Sequence, residues 1–212
     1  MKRFVLASGN KNKLIELRDM LSDIDVELVS RIDAGVLTDI EETGETFEEN
    51  ARLKAAGVAK AAGSPAIADD SGLITDALDG APGVYSARYG GSHDKSDGFR
   101  CTLLLKNMEN KQPRSARFVS CICCVFPNGD VIEARGECEG EILCAPRGDN
   151  GFGYDPVFLP AGFDRSMAEL SPEEKNEISH RGKAVRGFKT MLKEYLSRAE
   201  VKNAAIYRDG VL

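Results

Sequence analysis

The chain has 212 residues, a formal net charge of -6 and a sequence pI near 5.1. Its length suits one large folding unit with a real core. The acidic balance argues against a nucleic-acid or membrane surface, so any anion site has to be assembled locally. No run reaches the length of a membrane span, and Phe4-Val5-Leu6-Ala7 follows the N-terminus without a signal-peptide pattern, which sets the expectation of a cytoplasmic protein.

Residues 4–7 read as a strand, Ser8-Gly9-Asn10-Lys11-Asn12-Lys13 as a polar loop, and Leu14, Leu17 and Leu21 recur at helical spacing. Such a unit offers backbone N–H groups and the positive end of a helix dipole to a phosphate, with Asn10 or Asn12 as cap and Lys13 in the first turn. The loop has neither the Walker A spacing nor the dinucleotide glycine fingerprint, so taken alone an ordinary solvated loop is the simpler reading. After a second strand at 26–30, Ile40-Glu41-Glu42-Thr43-Gly44-Glu45 concentrates acid. Thr46 and Glu49 then form a capping box for a helix to about Ala62, closed by Gly63. Glu45, Glu48 and Glu49 suit that helix's dipole, whereas Glu41 and Glu42 precede it and are better metal candidates. Lys54, on the same helix, is either a solvated residue or one that reaches into a cleft.

Ala66-Ile67-Ala68 runs into Asp69-Asp70-Ser71-Gly72, which reads as a buried strand delivering carboxylates to a cleft at its carboxyl end. A turn is the alternative reading of Asp-Ser-Gly. Neighbouring strand side chains diverge, so Asp69 and Asp70 cannot both address one ion, and a metal here needs carboxylates from elsewhere. A turn-rich break at 79–83, a polar loop at 90–97 and a helix containing Arg100, Leu103, Leu104 and Leu105 follow. Strands at 116–126 and 131–138 are joined by Pro127-Asn128-Gly129-Asp130, a hairpin signal that makes the sheet mixed. Cys121-Ile122-Cys123-Cys124 lies in the first of these strands, where positions three apart face opposite sides; that argues for small buried hydrophobes over a zinc knuckle.

Another strand at 140–144 leads to Gly151-Phe152-Gly153-Tyr154-Asp155, where glycines let backbone approach a ligand and two rings offer a stacking platform. Ser171-Pro172-Glu173-Glu174 is a second capping box with Lys175 just inside it. Ser179-His180-Arg181 opens the last helix, whose Val185, Phe188, Leu192, Tyr195 and Leu196 share an apolar face. His180 and Arg181 are expected there as exposed donors.

The segments SGNKNK, EETGETFEENARLKA, AIADDSGL, GAPGVYSARY, GFGYDPVF and EEKNEISHRGKA stand in the order and spacing of the inosine triphosphate pyrophosphatase family, which the chain resembles over residues 1–197. The resemblance implies an α/β fold with an elongated mixed β-sheet flanked by helices, in two lobes around a central cleft. It implies one domain over residues 1–198, with 199–212 as a C-terminal extension. The implied reaction converts nonstandard purine nucleoside triphosphates (ITP, dITP, XTP) to the monophosphate and pyrophosphate, with Mg²⁺ as cofactor. A homodimer without nucleic-acid or membrane partners is implied as well. Residue by residue, phosphate contacts fall on Ser8, Asn10 and Lys13, with Gly9, Lys11 and Asn12 in the same substrate-binding loop and Lys54 also facing the triphosphate. The metal carboxylates fall on Glu42 and Asp70 with Glu41 adjacent, the proton acceptor on Asp70 with Asp69 beside it, and a substrate contact on Ser71. The base pocket falls on Phe152, Gly153, Tyr154, Asp155, Lys175, Ser179, His180 and Arg181. Selectivity for 6-keto purines over adenine is expected from the donors of His180 and Arg181. One rival is a Maf-like pyrophosphatase with another base preference, disfavoured by Ser8-Gly9-Asn10 where those enzymes carry serine-proline-arginine. The other is a non-catalytic nucleotide-binding protein, disfavoured by the intact acids and lysines.

Overall fold

The computed structural model describes residues 2–38, 40–92 and 94–209, from 199 onward as backbone only. Among these, one mixed sheet is built from β1 (Lys2–Leu6), β2 (Val26–Ser30), β3 (Ala66–Thr75), β4 (Ser115–Val125), β5 (Val131–Ile142) and β6 (Phe158–Pro160), in the order β2-β1-β3-β4-β5-β6. β1 lies parallel to β2 and β3, and every later pairing is antiparallel. The flanking helices are α1 (Lys11–Met20), α2 (Phe47–Ala62), α3 (Asp97–Asn107), α4 (Pro172–Ile178) and α5 (His180–Asp209).

Local chemistry sets many of these bounds. Thr46 and Glu49 exchange both hydrogen bonds of a capping box at the start of α2, and Gly63 ends it in the left-handed region at φ 61°. Ser171 and Glu174 do the same for α4, with Pro172 in its first turn. α5 runs on through the first part of the segment expected as an extension.

β3 does not stop at Ser71-Gly72. It continues to Thr75 because β4 pairs with it along its whole length, from Ala66↔Val125 to Thr75↔Ala116. Gly72 is a strand residue whose missing side chain admits a neighbour: a Cβ there would lie 2.5 Å from Ser86 Oγ and 2.6 Å from the Gly83 carbonyl oxygen. The 3-10 turn Gly83–Arg88 therefore packs directly on β3, and Leu73 N–H donates to Ser86 Oγ at 2.9 Å. The strands expected at 131–138 and 140–144 are one strand, β5, whose end pairs with β6.

Strand alternation distributes the core. On one face Phe4, Leu6, Ile67 and Ile122 pack against Leu17 of α1 and Val185, Phe188 and Leu192 of α5. On the other, Val5, Ala66, Ala68, Cys121 and Cys123 meet Ala51, Ala55 and Val58 of α2. A third cluster, with Leu73, Phe118, Cys138 and Phe158 against Leu104 of α3 and Met108 just after it, fills the far end of the sheet. Each large side chain so buried contributes about 1.5–3 kcal/mol. All six cysteines are free thiols; Cys123 and Cys124 are buried, and burial pushes the Cys123 thiol up to about 12, which suits a packing role.

β1 pairs with β3 only through Val5↔Ala66 and Leu6↔Ile67. Beyond Ile67, β3 keeps β4 on one side while the chain after β1 turns away into α1. Asp69 and Asp70 thus sit mid-strand, and the cleft opens beyond the carboxyl end of β1 and not that of β3.

Candidate active site

Alternation along β3 sends Asp69 and Asp70 to opposite faces. Asp70 faces α2, where Lys54 Nζ donates to Asp70 Oδ1 and, at 2.9 Å, to Glu42 Oε1. Arg88 Nη1 donates to the second Glu42 oxygen at 3.2 Å. Burial pushes the Asp70 carboxyl above its ordinary range, with Lys54 and Lys13 opposing. Burial acts on Glu42 as well, but Lys54 and Arg88 outweigh it and hold that carboxyl low. The same two carboxylates outweigh burial at Lys54 and keep it an ammonium. Asp70 is therefore the more basic acid of the pair, the property a proton acceptor needs. Glu41 is exposed on the cavity wall, and among the described residues no group of three or more potential ligands converges as a metal cage.

Asp69 points the other way and is only 1% exposed. It accepts from Arg181 Nε at 2.7 Å and Ser120 Oγ at 2.9 Å, and Lys13 Nζ lies 3.6 Å from its Oδ2. Burial would raise its pKa, but Arg181 and Lys13 prevail and hold it well below the carboxylate range. Its place is beneath the cleft, where it supports two cations.

At the start of α1, Asn10 is the cap and its side chain accepts from Asn12 N–H at 2.9 Å and Lys13 N–H at 3.2 Å, while Ser8 Oγ accepts from Asn10 N–H at 3.1 Å. Lys13 Nζ crosses to the Asp69 carbonyl at 3.0 Å. One turn on, Glu16 accepts from Arg181 Nη1 at 2.6 Å and from Lys175 Nζ at 3.0 Å. Lys175 also donates to Asp155 Oδ2 at 2.8 Å, an oxygen that takes the Phe152 N–H at 3.0 Å, and Arg181 Nη2 donates to Ser71 Oγ at 3.0 Å. Glu16 thereby ties the helix behind the 8–13 loop to the side chains expected around a base. Burial alone would raise its pKa; Arg181 and Lys175 lower it.

His180 and Arg181 are buried, 4% and 2% exposed, and not the exposed donors expected from a helix start. Gly136 of β5 is the reason. A Cβ there would lie 2.2 Å from the His180 carbonyl oxygen and 2.4 Å from Ala184 N, so only glycine lets α5 lie this close to the sheet and carry both side chains inward. The His180 ring stacks on Phe118 with centroids 4.7 Å apart, and its Nδ1 has no hydrogen-bond partner among the described residues. Tyr154 is not a stacking surface either: it is buried, and its hydroxyl donates to the Ser86 carbonyl at 2.9 Å. Phe152 alone keeps its ring beside the cations, 4.8 Å from Lys175 Nζ and 5.3 Å from Arg181 Cζ. Ser179 accepts from Gly182 N–H at 3.1 Å and serves the turn into α5.

Burial, reinforced by Arg181 and Lys175 against the opposing Asp69, pushes the His180 pKa well below its ordinary value and keeps the ring neutral. A depressed folded-state pKa means that stability is full above the unfolded value of about 6.5 and falls as pH drops below it. Between pH 7 and 5.5 the wild type should lose more stability than His180→Phe, which keeps a ring and removes the titration. Denaturant unfolding at the two pH values checks this, and equal pH slopes would contradict it.

Two joined cavities result. The narrower, about 120 Å³, is bounded by Phe118, Phe152, Lys175, His180 and Arg181 on one side and by Ser86, Asp97 and Arg100 on the other. The wider, about 650 Å³, is lined by Ser8, Gly9, Arg31, Glu42, Lys54, Asp70 and Arg88. Asn10, Lys13 and Ser71 border both, whereas Lys11, Asn12, Asp69 and Ser179 border neither. Glu16, Arg88 and Ser120 were not singled out from sequence. Glu16 follows Lys13 by three residues, so helical spacing places it on the same face, and Arg88 lies within GAPGVYSARY; nothing in sequence marks Ser120 as Asp69's partner.

The Ham1 family model matches residues 4–191. A dITP/XTP pyrophosphatase of Deinococcus deserti is 46% identical over 200 residues, covering 94% of each chain. One from Lactiplantibacillus plantarum is also 46% identical, over 92% of this chain and 96% of its own. Among solved structures, a HAM1 protein from Coxiella burnetii superposes with a TM-score of 0.84 at 44% identity, over 92% of this chain and all 100% of that one. A match that runs through both lobes, at this identity and over nearly the whole length, places the chain in the Ham1 family.

Proposed function

We propose that this protein hydrolyses nonstandard purine nucleoside triphosphates (ITP, dITP and XTP) to the monophosphate and pyrophosphate, with Mg²⁺. The observation that carries the reading is the pairing of cavities: a slot with a phenyl ring and buried donors opens, past Lys13 and Ser71, into a wider space holding Lys54, Arg88 and a raised-pKa carboxylate. The names of the closely similar relatives fit this chemistry.

Water bonds to the α-phosphorus, the α–β bridging bond breaks, and pyrophosphate leaves with the bridging oxygen. Asp70, buried at the wall of the wider cavity, orients the water and takes its proton. Lys13 and Lys54 face the phosphates as positive charge in a partly desolvated site. The donor chemistry fits Mg²⁺, which favours oxygen ligands and is typically bound by one or two carboxylates plus substrate phosphates; Glu42 and Asp70, converging on Lys54, are those that would hold it, with Glu41 at the rim. The ion would supply neutralisation of phosphoryl charge. A cytoplasmic homodimer completes the reading: six free thiols suit a reducing compartment, and the dimer follows the family resemblance.

Base choice follows from the slot. Arg181 is engaged through Nε, Nη1 and Nη2 by Asp69, Glu16 and Ser71, yet its five-donor fork has further N–H groups. A 6-keto oxygen satisfies such donors; an adenine amino group facing Arg181 does not, at a cost of about 1–3 kcal/mol per buried mismatch. The kcat/KM for ITP and XTP with Mg²⁺ should exceed that for ATP by about tenfold or more, with GTP also disfavoured. Equal values for ITP and ATP would overturn the base-pocket assignment.

A further inference from the structure

We propose that Arg88 binds the leaving pyrophosphate and makes the site select triphosphates over diphosphates, an inference that rests on the functional reading above. The lining shared by the two cavities, Asn10, Lys13, Ser71 and Ala87, marks the throat between base and phosphates. Arg88, Lys54 and Glu42 border the wider cavity and not the slot, so they stand at the end away from His180 and Arg181. A nucleotide anchored by its base in the slot extends its terminal phosphates toward them.

The position of Arg88 is built into the fold. It ends the 3-10 turn that Gly72 admits against β3, and Ser86 Oγ locks that turn by accepting from Leu73 N–H at 2.9 Å and donating to the Gly83 carbonyl at 2.7 Å. The guanidinium lies over the Tyr85 ring, 5.0 Å from its centroid, a second contact that fixes its place. Nη1 donates to Glu42 at 3.2 Å, long for a charge-assisted contact. Most of a planar fork suited to phosphate oxygens is left for a ligand. Glu42 gives its other oxygen to Lys54, so one carboxylate holds two cations at the mouth of the cavity. A pyrophosphate leaving group, more negative than orthophosphate, uses both; a diphosphate substrate lacks the terminal group that reaches Arg88.

The test is titration of inorganic pyrophosphate into the wild type and Arg88→Gln, with kcat and KM for ITP and IDP measured alongside. Pyrophosphate affinity should fall about tenfold or more in the variant, KM for ITP should rise by a similar factor with a smaller change in kcat, and the preference for ITP over IDP should shrink accordingly. Unchanged pyrophosphate affinity overturns the proposal, including where kcat falls, because that pattern belongs to a residue that only holds Glu42. Arg88→Met, which keeps the stem over Tyr85, carries the same test should Arg88→Gln not fold. A wild type that releases no pyrophosphate from ITP refutes the functional reading and this inference with it; a wild type that does, beside an unaltered Arg88→Gln, refutes the Arg88 assignment alone.

Discussion

Asp70→Asn should lower ITP turnover by about a hundred- to ten-thousand-fold, the range lost with a positioned acid–base group, while leaving the melting temperature close to that of the wild type. The substitution keeps volume and removes the charge that holds Lys54 Nζ, which retains Glu42. Asp70 is 7% exposed at the wall of the wider cavity, so the vacated charge has solvent nearby and the fold is not asked to bury an unpaired lysine. Steady-state kinetics beside thermal unfolding separates the two effects. Turnover within threefold of wild type would remove Asp70 from the chemistry.

Asp69 gives the opposite result one residue away. Its carboxylate is the partner of buried Arg181 and lies close to Lys13 and Ser120, so Asp69→Ala leaves two cations and a hydroxyl facing a void. Removing one partner of a buried pair costs about 3–5 kcal/mol, and for a chain of this size the melting temperature should fall on the order of 10 °C. A loss below about 1 kcal/mol in denaturant unfolding would contradict the support assigned to Asp69. The sign with pH is fixed by its depressed pKa: this stability is present above the unfolded carboxyl value and is lost as pH falls through the lower folded one.

The contrast between these neighbours was legible in sequence as far as local geometry carries. Strand alternation alone separates Asp69 from Asp70, and capping boxes at Thr46 and Ser171 fixed two helix starts. What lay beyond reach depends on partners distant in the chain. β3 runs past Gly72 because β4, some fifty residues later, pairs with it to Thr75. His180 and Arg181 look like solvated residues at a helix start until Gly136 brings α5 onto β5. Tyr154 and Phe152 are equivalent in a glycine-aromatic run, yet the hydroxyl of Tyr154 reaches Ser86 and draws its ring into the core. The 8–13 loop was the weakest signal, since no motif spacing marks it; what joins it to the cleft is Lys13 crossing to β3.

Hydrolysis of ITP in ¹⁸O-labelled water with Mg²⁺ tests most directly whether the joined cavities place the α-phosphorus beside Asp70. The account predicts that the label enters IMP, that pyrophosphate is unlabelled, and that the two products form in equal amounts. Label in pyrophosphate, or IDP and orthophosphate as the first products, would contradict it.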